Sequence, residues 1–247
     1  MLENIHDALW LVNGEIVRFF GFPFPTRSVI VRLASGDLWV WSPIRLNPDL
    51  RAELDRLGPV RHLVSPNKMH HLYVQDWSEA YPQAQLWGPE STIRKRGDLK
   101  FREALRDSPP PEWGLDIELA WFRGSRVMDE IMFFHRPSRT VIVADLIAGF
   151  RERFLREHGS WWQLPLARVL GMMADKYGAP LDWQLSFAFV DRAPAQEARE
   201  TALSWRCERV IMAHGEWKRT DGQEFLERKL EWLGPRRTLS GRRRSGT

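Results

Sequence analysis

The 247-residue sequence predicts an α/β sandwich, in which strand-rich sheets are covered by helices on the outside. Two observations support this fold class. Short apolar runs typical of strands occur in the first 45 residues and recur later, and amphipathic runs typical of helices separate and follow them. The composition, with 43% hydrophobic and 28% charged residues, is that of a globular protein. The length is ordinary for one large α/β domain.

The first 58 residues predict two hairpins and a capped helix. The runs LWLVNG and EIVRFF flank Asn13–Gly14, a dipeptide typical of a tight hairpin turn. A second pair of apolar runs flanks Ser35–Asp37. A helix is predicted next, because Asn47 can cap it, Pro48 suits its first turn and Gly58 ends it.

The remaining elements alternate between strands and helices. The last helix is predicted to begin with a capping box of Thr220 and Gln223. A helical insertion at about 150–183 is rich in Trp and Met, so it could cover a site, contact a partner or pack in the core. The predicted order is strand RHLVS, helix WSEAYPQ, strand QLWGP, helix and loop at 91–115, strand IELAWFRG, a hairpin of EIMFFH and TVIVADL, the insertion, helix APAQEARETALSWRCE, strand RVIMAHG and helix TDGQEFLERKLEWLG.

The composition also excludes several classes of protein. The single cysteine, Cys207, cannot form an intrachain disulfide and gives no sign of an oxidising compartment. No apolar run reaches the roughly 18–20 residues of a membrane-spanning helix. The opening MLENIHDALW lacks the basic segment typical of a signal peptide. We therefore expect a cytoplasmic protein without a membrane partner.

Positive charge is concentrated at the C-terminus. The net charge is +4, but residues 236–247 hold five arginines and no acid, so the rest of the chain is at −1. We predict one domain over residues 1–235 and a basic, disordered tail over 236–247. Arginine runs can contact nucleic acid. A solvated terminus is the expectation here, and nucleic acid is not an expected partner.

Potential metal ligands follow three of the apolar strands. His70 and His71 come after RHLVS, Asp145 follows TVIVA, and His214 follows RVIMA. α/β folds build sites at the carboxyl ends of buried strands, and three histidines with one aspartate suit zinc or iron. Neighbouring histidines can share a metal only from a turn, which Pro66 favours. A histidine at a strand end is more often only hydrogen-bonded, and spacing does not show that the three strand ends meet.

These segments resemble the metallo-β-lactamase superfamily. Its first motif, Thr-His-x-His-x-Asp-His, corresponds to SPNKMHH at 65–71, VIVADL resembles the strand that ends in the metal-bridging Asp, and VIMAHGE resembles the final Gly-His element. The chain is also similar, over about residues 8–235, to a branch of that superfamily described as a domain of unknown function. The four segments that carry this similarity are FFGFPFPTR, an SPxP-like segment, PNKMHH and FHRPSRTVI. The resemblance implies a four-layer αβ/βα sandwich.

The departures from the family motif imply a site for one ion. Pro66 and Lys68 replace the first two motif histidines, His70 replaces the motif Asp, and the histidine that precedes the bridging Asp in the family has no counterpart. Three ligands of the first metal position are therefore missing. The resemblance implies that the second position remains and holds one zinc, or iron, through His70, His71, Asp145 and His214.

The resemblance implies a metal-dependent hydrolase that acts on a small-molecule ester, lactone, thioester or phosphoester. Asp145 would double as the base that orients water, and Lys68 could replace the charge of the lost ion and hold an anionic substrate or an oxyanion. Four protein ligands, however, are typical of structural sites. The alternative is a catalytically inactive binding or scaffold protein. Further candidate residues are Asn67, Asp129, Glu130 and His135.

Other catalytic classes lack their sequence signatures. There is no GxSxG motif, phosphate loop or dinucleotide fingerprint. Cys207 is predicted to lie inside an amphipathic helix without a histidine partner, so a cysteine nucleophile is not expected.

Overall fold

The computed structural model describes residues 1–173 and 179–234, which form two β-sheets with helices on their outer faces. The first sheet has its seven strands in chain order: β1 (Glu3–His6), β2 (Leu9–Phe19), β3 (Phe22–Arg32), β4 (Leu38–Trp41), β5 (Val60–Val64), β6 (Gln85–Gly88) and β7 (Phe101–Ala104). The second sheet has the order β11, β10, β9, β8, with β8 (Ile117–Phe122), β9 (Glu130–His135), β10 (Thr140–Val143) and β11 (Arg209–Met212).

Eight α-helices lie within the described residues. They are α1 (Pro48–Leu57), α2 (Val74–Ala80), α3 (Glu90–Lys95), α4 (Glu152–His158), α5 (Gln163–Val169), α6 (Leu181–Ser186), α7 (Ala193–Ser204) and α8 (Gly222–Leu230). Short 3₁₀ turns occur at Pro111–Trp113 and Glu231–Leu233.

The apolar core between the sheets is built from the inward faces of both. Trp39 of the first sheet lies edge-to-face with Phe133 of the second, at a ring separation of 5.2 Å. The outer face of the first sheet packs on α1 and α2, and the outer face of the second packs on α6, α7 and α8. The layers are therefore helices, sheet, sheet and helices, as predicted.

Parallel strands bring their carboxyl ends to the same edge of each sheet. β4, β5, β6 and β7 are parallel neighbours in the first sheet, and β10 and β11 are parallel neighbours in the second. The segments that follow β5, β10 and β11 carry the predicted ligands. This arrangement makes a site that is shared between the sheets possible.

The first hairpin turn was predicted at the wrong position. Asn13–Gly14 lies inside β2, at an irregularity in its pairing with β3, and the turn is formed by Phe20–Gly21 instead. A Cβ at Gly14 would lie 2.4 Å from Thr26 Oγ1 and 3.0 Å from Ile44. Gly14 is therefore needed for a close approach rather than for a turn.

Three local predictions further along the chain were also wrong. β7 forms within the stretch that was assigned to helix and loop. α8 has no side-chain cap, because Thr220 bonds to Asp221 and Gln223 accepts the backbone N–H of Cys207. Cys207 lies beyond the end of α7 and is buried ahead of β11, where burial raises the pKa of its thiol to about 12. A buried, protonated thiol is a poor nucleophile.

The insertion at 150–183 contains α4, α5 and the start of α6. Phe150, Leu155, Ala167 and Met173 form an apolar cluster with Phe22 of the β2–β3 hairpin. This packing joins the insertion to the extended hairpin. The basic tail lies outside the described residues, and its predicted disorder and the single-domain boundary stay predictions. No described helix is both long and apolar enough to cross a membrane.

Candidate metal centre

His70, Asp145 and His214 converge at the shared edge of the two sheets. His70 Nε2 lies 3.3 Å from Asp145 Oδ2, and His214 Nε2 lies 3.3 Å from Asp145 Oδ1. One potential ligand atom from each of the three residues lies within 4.8 Å of the others. The Asp145 side chain is 20% exposed, so the cluster is shielded but open to a ligand on one side.

The strand pairing explains why the cluster forms. β10 and β11 end in register at Val143 and Met212, and Asp145 and His214 each follow two residues later. His70 comes from the loop after β5 in the other sheet. The carbonyl of Pro66 in that loop accepts the backbone N–H of Ile131 in β9 at 2.9 Å, which ties the loop to the second sheet.

Hydrogen bonds on the far side of each ring orient the two histidines. His214 Nδ1 lies 2.8 Å from the carbonyl oxygen of Pro25, which only accepts, so Nδ1 carries a proton and the lone pair of a neutral ring lies on Nε2, towards Asp145. His70 Nδ1 lies 2.6 Å from Ser42 Oγ. Such outer contacts are typical of metal-ligating histidines.

The backbone of Ser42 is strained in the conformation that places its hydroxyl beside His70. It has a φ of 50°, in the left-handed region that residues other than glycine rarely adopt. Its N–H donates to the carbonyl of Val64 at 2.8 Å, which keeps this turn against the end of β5. Strain of this kind is often found at functional sites.

Asn67 and Glu130 support Asp145 from behind. Asn67 Nδ2 donates to Asp145 Oδ2 and to Glu130 Oε2, each at 2.9 Å, while its Oδ1 accepts the N–H of Met69. Glu130 also accepts the backbone N–H groups of residues 144, 145 and 146. Burial and the charge of Asp145 act to raise the pKa of Glu130, whereas the four donors favour its ionised form. These bonds fix the loop that carries Asp145.

The donor set fits a metal ion. Burial acts to raise the pKa of Asp145, but the contacts with His70 and His214 outweigh it and hold the pKa well below its usual range, so the carboxylate is available as an ionised ligand. An unprotonated Nε2 and a carboxylate oxygen both carry lone pairs and repel each other, so a proton or a metal cation must lie between them. Charge-assisted N–H···O bonds measure about 2.7–2.9 Å, whereas ligands of a tetrahedral zinc, at roughly 2.0–2.2 Å from the ion, are about 3.3–3.6 Å apart. The two observed separations of 3.3 Å are compatible with the second case.

His71 lies outside this cluster, although it was predicted as a ligand. Its Nδ1 is 3.5 Å from the Arg96 guanidinium, which also donates to its carbonyl at 3.3 Å. Burial, with the charges of Lys95 and Arg96, lowers the pKa of His71 to about 4. The adjacent side chains of His70 and His71 leave this turn in different directions. The structure therefore brings together only three of the four predicted ligands, His70, Asp145 and His214.

The other predicted residues have distinct surroundings. Lys68 donates to the carbonyl of Val127 at 2.5 Å, and its predicted catalytic role stays a prediction. Asp129 accepts bonds from Ser91 and from Trp121, so it is engaged in structural contacts. His135 lies buried in the β9–β10 hairpin, with Nδ1 2.7 Å from Ser138 Oγ.

The three clustered residues line a cavity of about 490 Å³. Its wall includes side chains that sequence reasoning did not select: Ser42, Lys95, Asp182, Trp183 and the phenylalanines of the β2–β3 hairpin. Asp182 accepts the N–H of Trp183 at 2.9 Å, and burial raises its pKa. A cavity of this size accommodates a small molecule.

Solved structures of metallo-β-lactamases share this fold. DIM-1 metallo-β-lactamase exposed to ceftazidime is 13% identical, with 94% of this chain and 95% of that chain covered and a TM-score of 0.62. The enzyme from Pontibacter korlensis is 13% identical over 94% and 98% of the two chains, with a TM-score of 0.59. FIM-1 from Pseudomonas aeruginosa, in its mono-zinc form, is 12% identical over 94% of each, with a TM-score of 0.58.

The chain therefore has the metallo-β-lactamase-like αβ/βα fold that the sequence predicts. Residues 7–94 match the model of the family described as Domain of unknown function (DUF4336), which also agrees with the predicted resemblance. No curated protein matches the chain. At these levels of identity the structural likeness concerns the fold alone.

Proposed function

We propose that this protein is a metal-dependent hydrolase of a small molecule, with one zinc or iron ion held by His70, Asp145 and His214. The observation that carries the proposal is the convergence of these three residues in the cavity wall. A mono-zinc form is described for FIM-1, so one ion is compatible with this fold. Esters, lactones, thioesters and phosphoesters are the proposed substrates.

Three ligands support a catalytic site better than four would. Structural zinc sites are closed by four protein ligands, whereas catalytic sites use three and leave one position open. Because His71 faces Arg96, the cluster has the smaller number. When bound, the ion would polarise the substrate and lower the pKa of a bound water.

The protein residues position the reacting groups. Asp145 is held by Asn67 and by its own backbone bond to Glu130, so its carboxylate has a fixed direction. It can accept a hydrogen bond from water and orient it towards the substrate. The bond from His214 Nδ1 to the carbonyl of Pro25 selects the neutral tautomer whose lone pair is on Nε2, the atom that would bind the metal.

A binding protein without catalysis is the second candidate. It is favoured by the loss of the first metal position, where Pro66 and Lys68 stand. Two protonated histidines could satisfy Asp145 as ion pairs, without any metal. In that case the cavity would bind a ligand but would not hydrolyse it.

Metal-dependent hydrolysis distinguishes the two candidates. The protein would be stripped with chelator, reloaded with zinc or iron, and assayed on a panel of one ester, one lactone, one thioester and one phosphodiester. We expect hydrolysis by the reloaded protein only, and a loss of at least a hundredfold in Asp145→Asn. The control is Asp129→Asn, outside the cluster. If the protein binds metal but hydrolyses none of these compounds, nor any wider set of compounds with the same bonds, the result would favour a binding protein without catalysis. A protein that binds no metal would refute the metal-dependent hydrolase.

A further inference from the structure

The turn at the mouth of the cavity contains a residue that does not suit its conformation. β2 and β3 are joined by Phe20 and Gly21, with φ angles of 47° and 78°. A two-residue hairpin loop with both φ angles positive favours Asn-Gly, and a bulky side chain there is strained. Phe20 is also 90% exposed. Neither backbone preference nor burial explains a phenylalanine at this position.

Phe20 belongs to an apolar rim around the cavity. Phe19, Leu72 and Val127 line the same cavity and are 46%, 56% and 61% exposed. Exposed apolar side chains that are grouped at a cavity, rather than scattered, mark a binding surface.

An aromatic wall leads from this rim to the metal-binding residues. The ring of Phe24 lies 6.5 Å from the ring of Phe19 and 5.1 Å from the ring of His214. Phe24 itself lines the cavity. A straight apolar chain that lies along this wall would therefore end beside His214.

Two lysines, Lys68 and Lys95, line the same cavity as His70. Lys68 donates to the carbonyl of Val127, and Lys95 donates to the carbonyl of Lys68 at 3.0 Å. Neither has a carboxylate within ion-pair distance among residues 1–173 and 179–234. Burial and the charge of Lys68 lower the pKa of Lys95, as expected for ammonium groups that repel each other. A bound anion would relieve this repulsion.

We propose that the cavity binds an anionic amphiphile, with its negative headgroup at Lys68 and Lys95 and its unbranched apolar chain along the phenylalanine wall. The headgroup is a carboxylate or a phosphate, since both attract two ammonium groups. His70, Asp145 and His214 line the same cavity as both subsites. That this ligand is a substrate rests on the proposed function, whereas its binding does not require the metal.

Calorimetric titration of chelator-treated protein tests the proposal. The probes are decyl phosphate and decanoate, with decanol as the uncharged control and inorganic phosphate as the control without a chain, all below micelle-forming concentrations. We expect at least one decyl anion to bind ten times more tightly than either control, and its identity gives the headgroup. Lys68→Met with Lys95→Met should weaken that binding at least tenfold. Lys100→Met, an exposed lysine outside the cavity, should leave it unchanged.

Phe20→Asn tests the apolar subsite with a variant that should fold at least as well as the unmodified protein. Asparagine suits the turn, so the melting temperature should rise, while the affinity for the decyl anion should fall severalfold and that for inorganic phosphate should not change. Decyl anions that bind no more tightly than the controls, or equally well to the lysine and Phe20 variants, would overturn the proposal. Binding of the decyl anion without metal-dependent hydrolysis of any compound in the ester, lactone, thioester and phosphodiester panel would contradict the proposed function alone.

Discussion

Single residues decide how many candidate ligands converge at the site. His70 and His71 are neighbours in sequence, yet His70 faces Asp145 and His71 faces Arg96. The sequence identifies both as candidate ligands but contains no signal for the direction of either ring. Ser42 was missed for a related reason, since its serine-proline context is that of an ordinary loop. Its role depends on a left-handed φ that local sequence does not reveal.

His135 shows how a buried histidine outside the candidate metal centre affects stability. Ser138 Oγ donates to Thr140 Oγ1 and accepts from His135 Nδ1, while His135 Nε2 is buried without a partner among the described residues. A second proton on the ring would have no acceptor. Burial lowers the pKa of His135 from 6.5 to about 4, with Asp116 opposing and His6 adding to the shift.

Stability should therefore fall on acidification in a way that depends on His135. The pKa of His135 is lower in the folded protein than in the unfolded chain. Its contribution to the free energy of unfolding is therefore fully present above pH 6.5 and is lost as the pH falls towards 4. We expect the free energy of unfolding of chelator-treated protein to drop by about 2–3 kcal/mol more between pH 7.5 and 4.5 than that of His135→Gln. Urea titrations at several pH values measure this. His158→Gln, an exposed control, should follow the unmodified protein, and parallel curves for all three proteins would refute the assignment.

At the scale of elements, the loop after β10 holds the site in place, and the irregular segment of β2 holds the hairpin in place. The loop after β10 depends on Glu130, whose carboxylate takes four donors. β2 depends on Gly14, which allows a close approach of Thr26 and Ile44. The periodicity of the sequence predicts these strands but neither of these dependences, because both involve residues distant in the chain.

Glu130→Gln should weaken both the fold and the proposed site. The amide NH₂ of glutamine is a donor and cannot accept from the backbone N–H groups of residues 144–146. We therefore expect a loss of about 1–3 kcal/mol in the free energy of unfolding. Because the loop also carries Asp145, affinity for metal should fall about 10–100-fold. Denaturant unfolding and metal titration measure the two effects. Glu157→Gln, which breaks an exposed ion pair with Arg153, should change stability by less than about 1 kcal/mol. Equal effects of the two variants would contradict this role.

Gly14→Ala should destabilise the β2–β3 pair. The added methyl would overlap Thr26 Oγ1, which bonds to the carbonyl of Glu15, and would crowd buried Ile44. We expect a loss of about 1–3 kcal/mol in the free energy of unfolding. Gly97→Ala is the matched control, since no atom lies closer than 4.0 Å to its added Cβ. If thermal unfolding shows no difference between the two variants, the close approach at Gly14 is not a constraint.

At the scale of the molecule, the site depends on the meeting of two sheets. Sequence alone predicted the fold class, most strands and the three residues of the cluster, because apolar runs and the polar residues that follow them are local signals. The turn at Phe20–Gly21 was missed because Asn13–Gly14 is the stronger local signal. The carbonyl of Pro25 and the cavity wall were missed because only the folded chain brings them to His214 and Asp145.

The metal content of purified protein tests the central claim most directly. Untagged protein, His70→Ala, His71→Ala and the control His158→Ala would be reloaded with zinc or iron, dialysed and measured by elemental analysis. We predict about one ion per chain in the unmodified protein, in His71→Ala and in His158→Ala, and none in His70→Ala. An unmodified protein without metal, or a His71→Ala variant that loses metal as completely as His70→Ala, would contradict the three-residue metal centre.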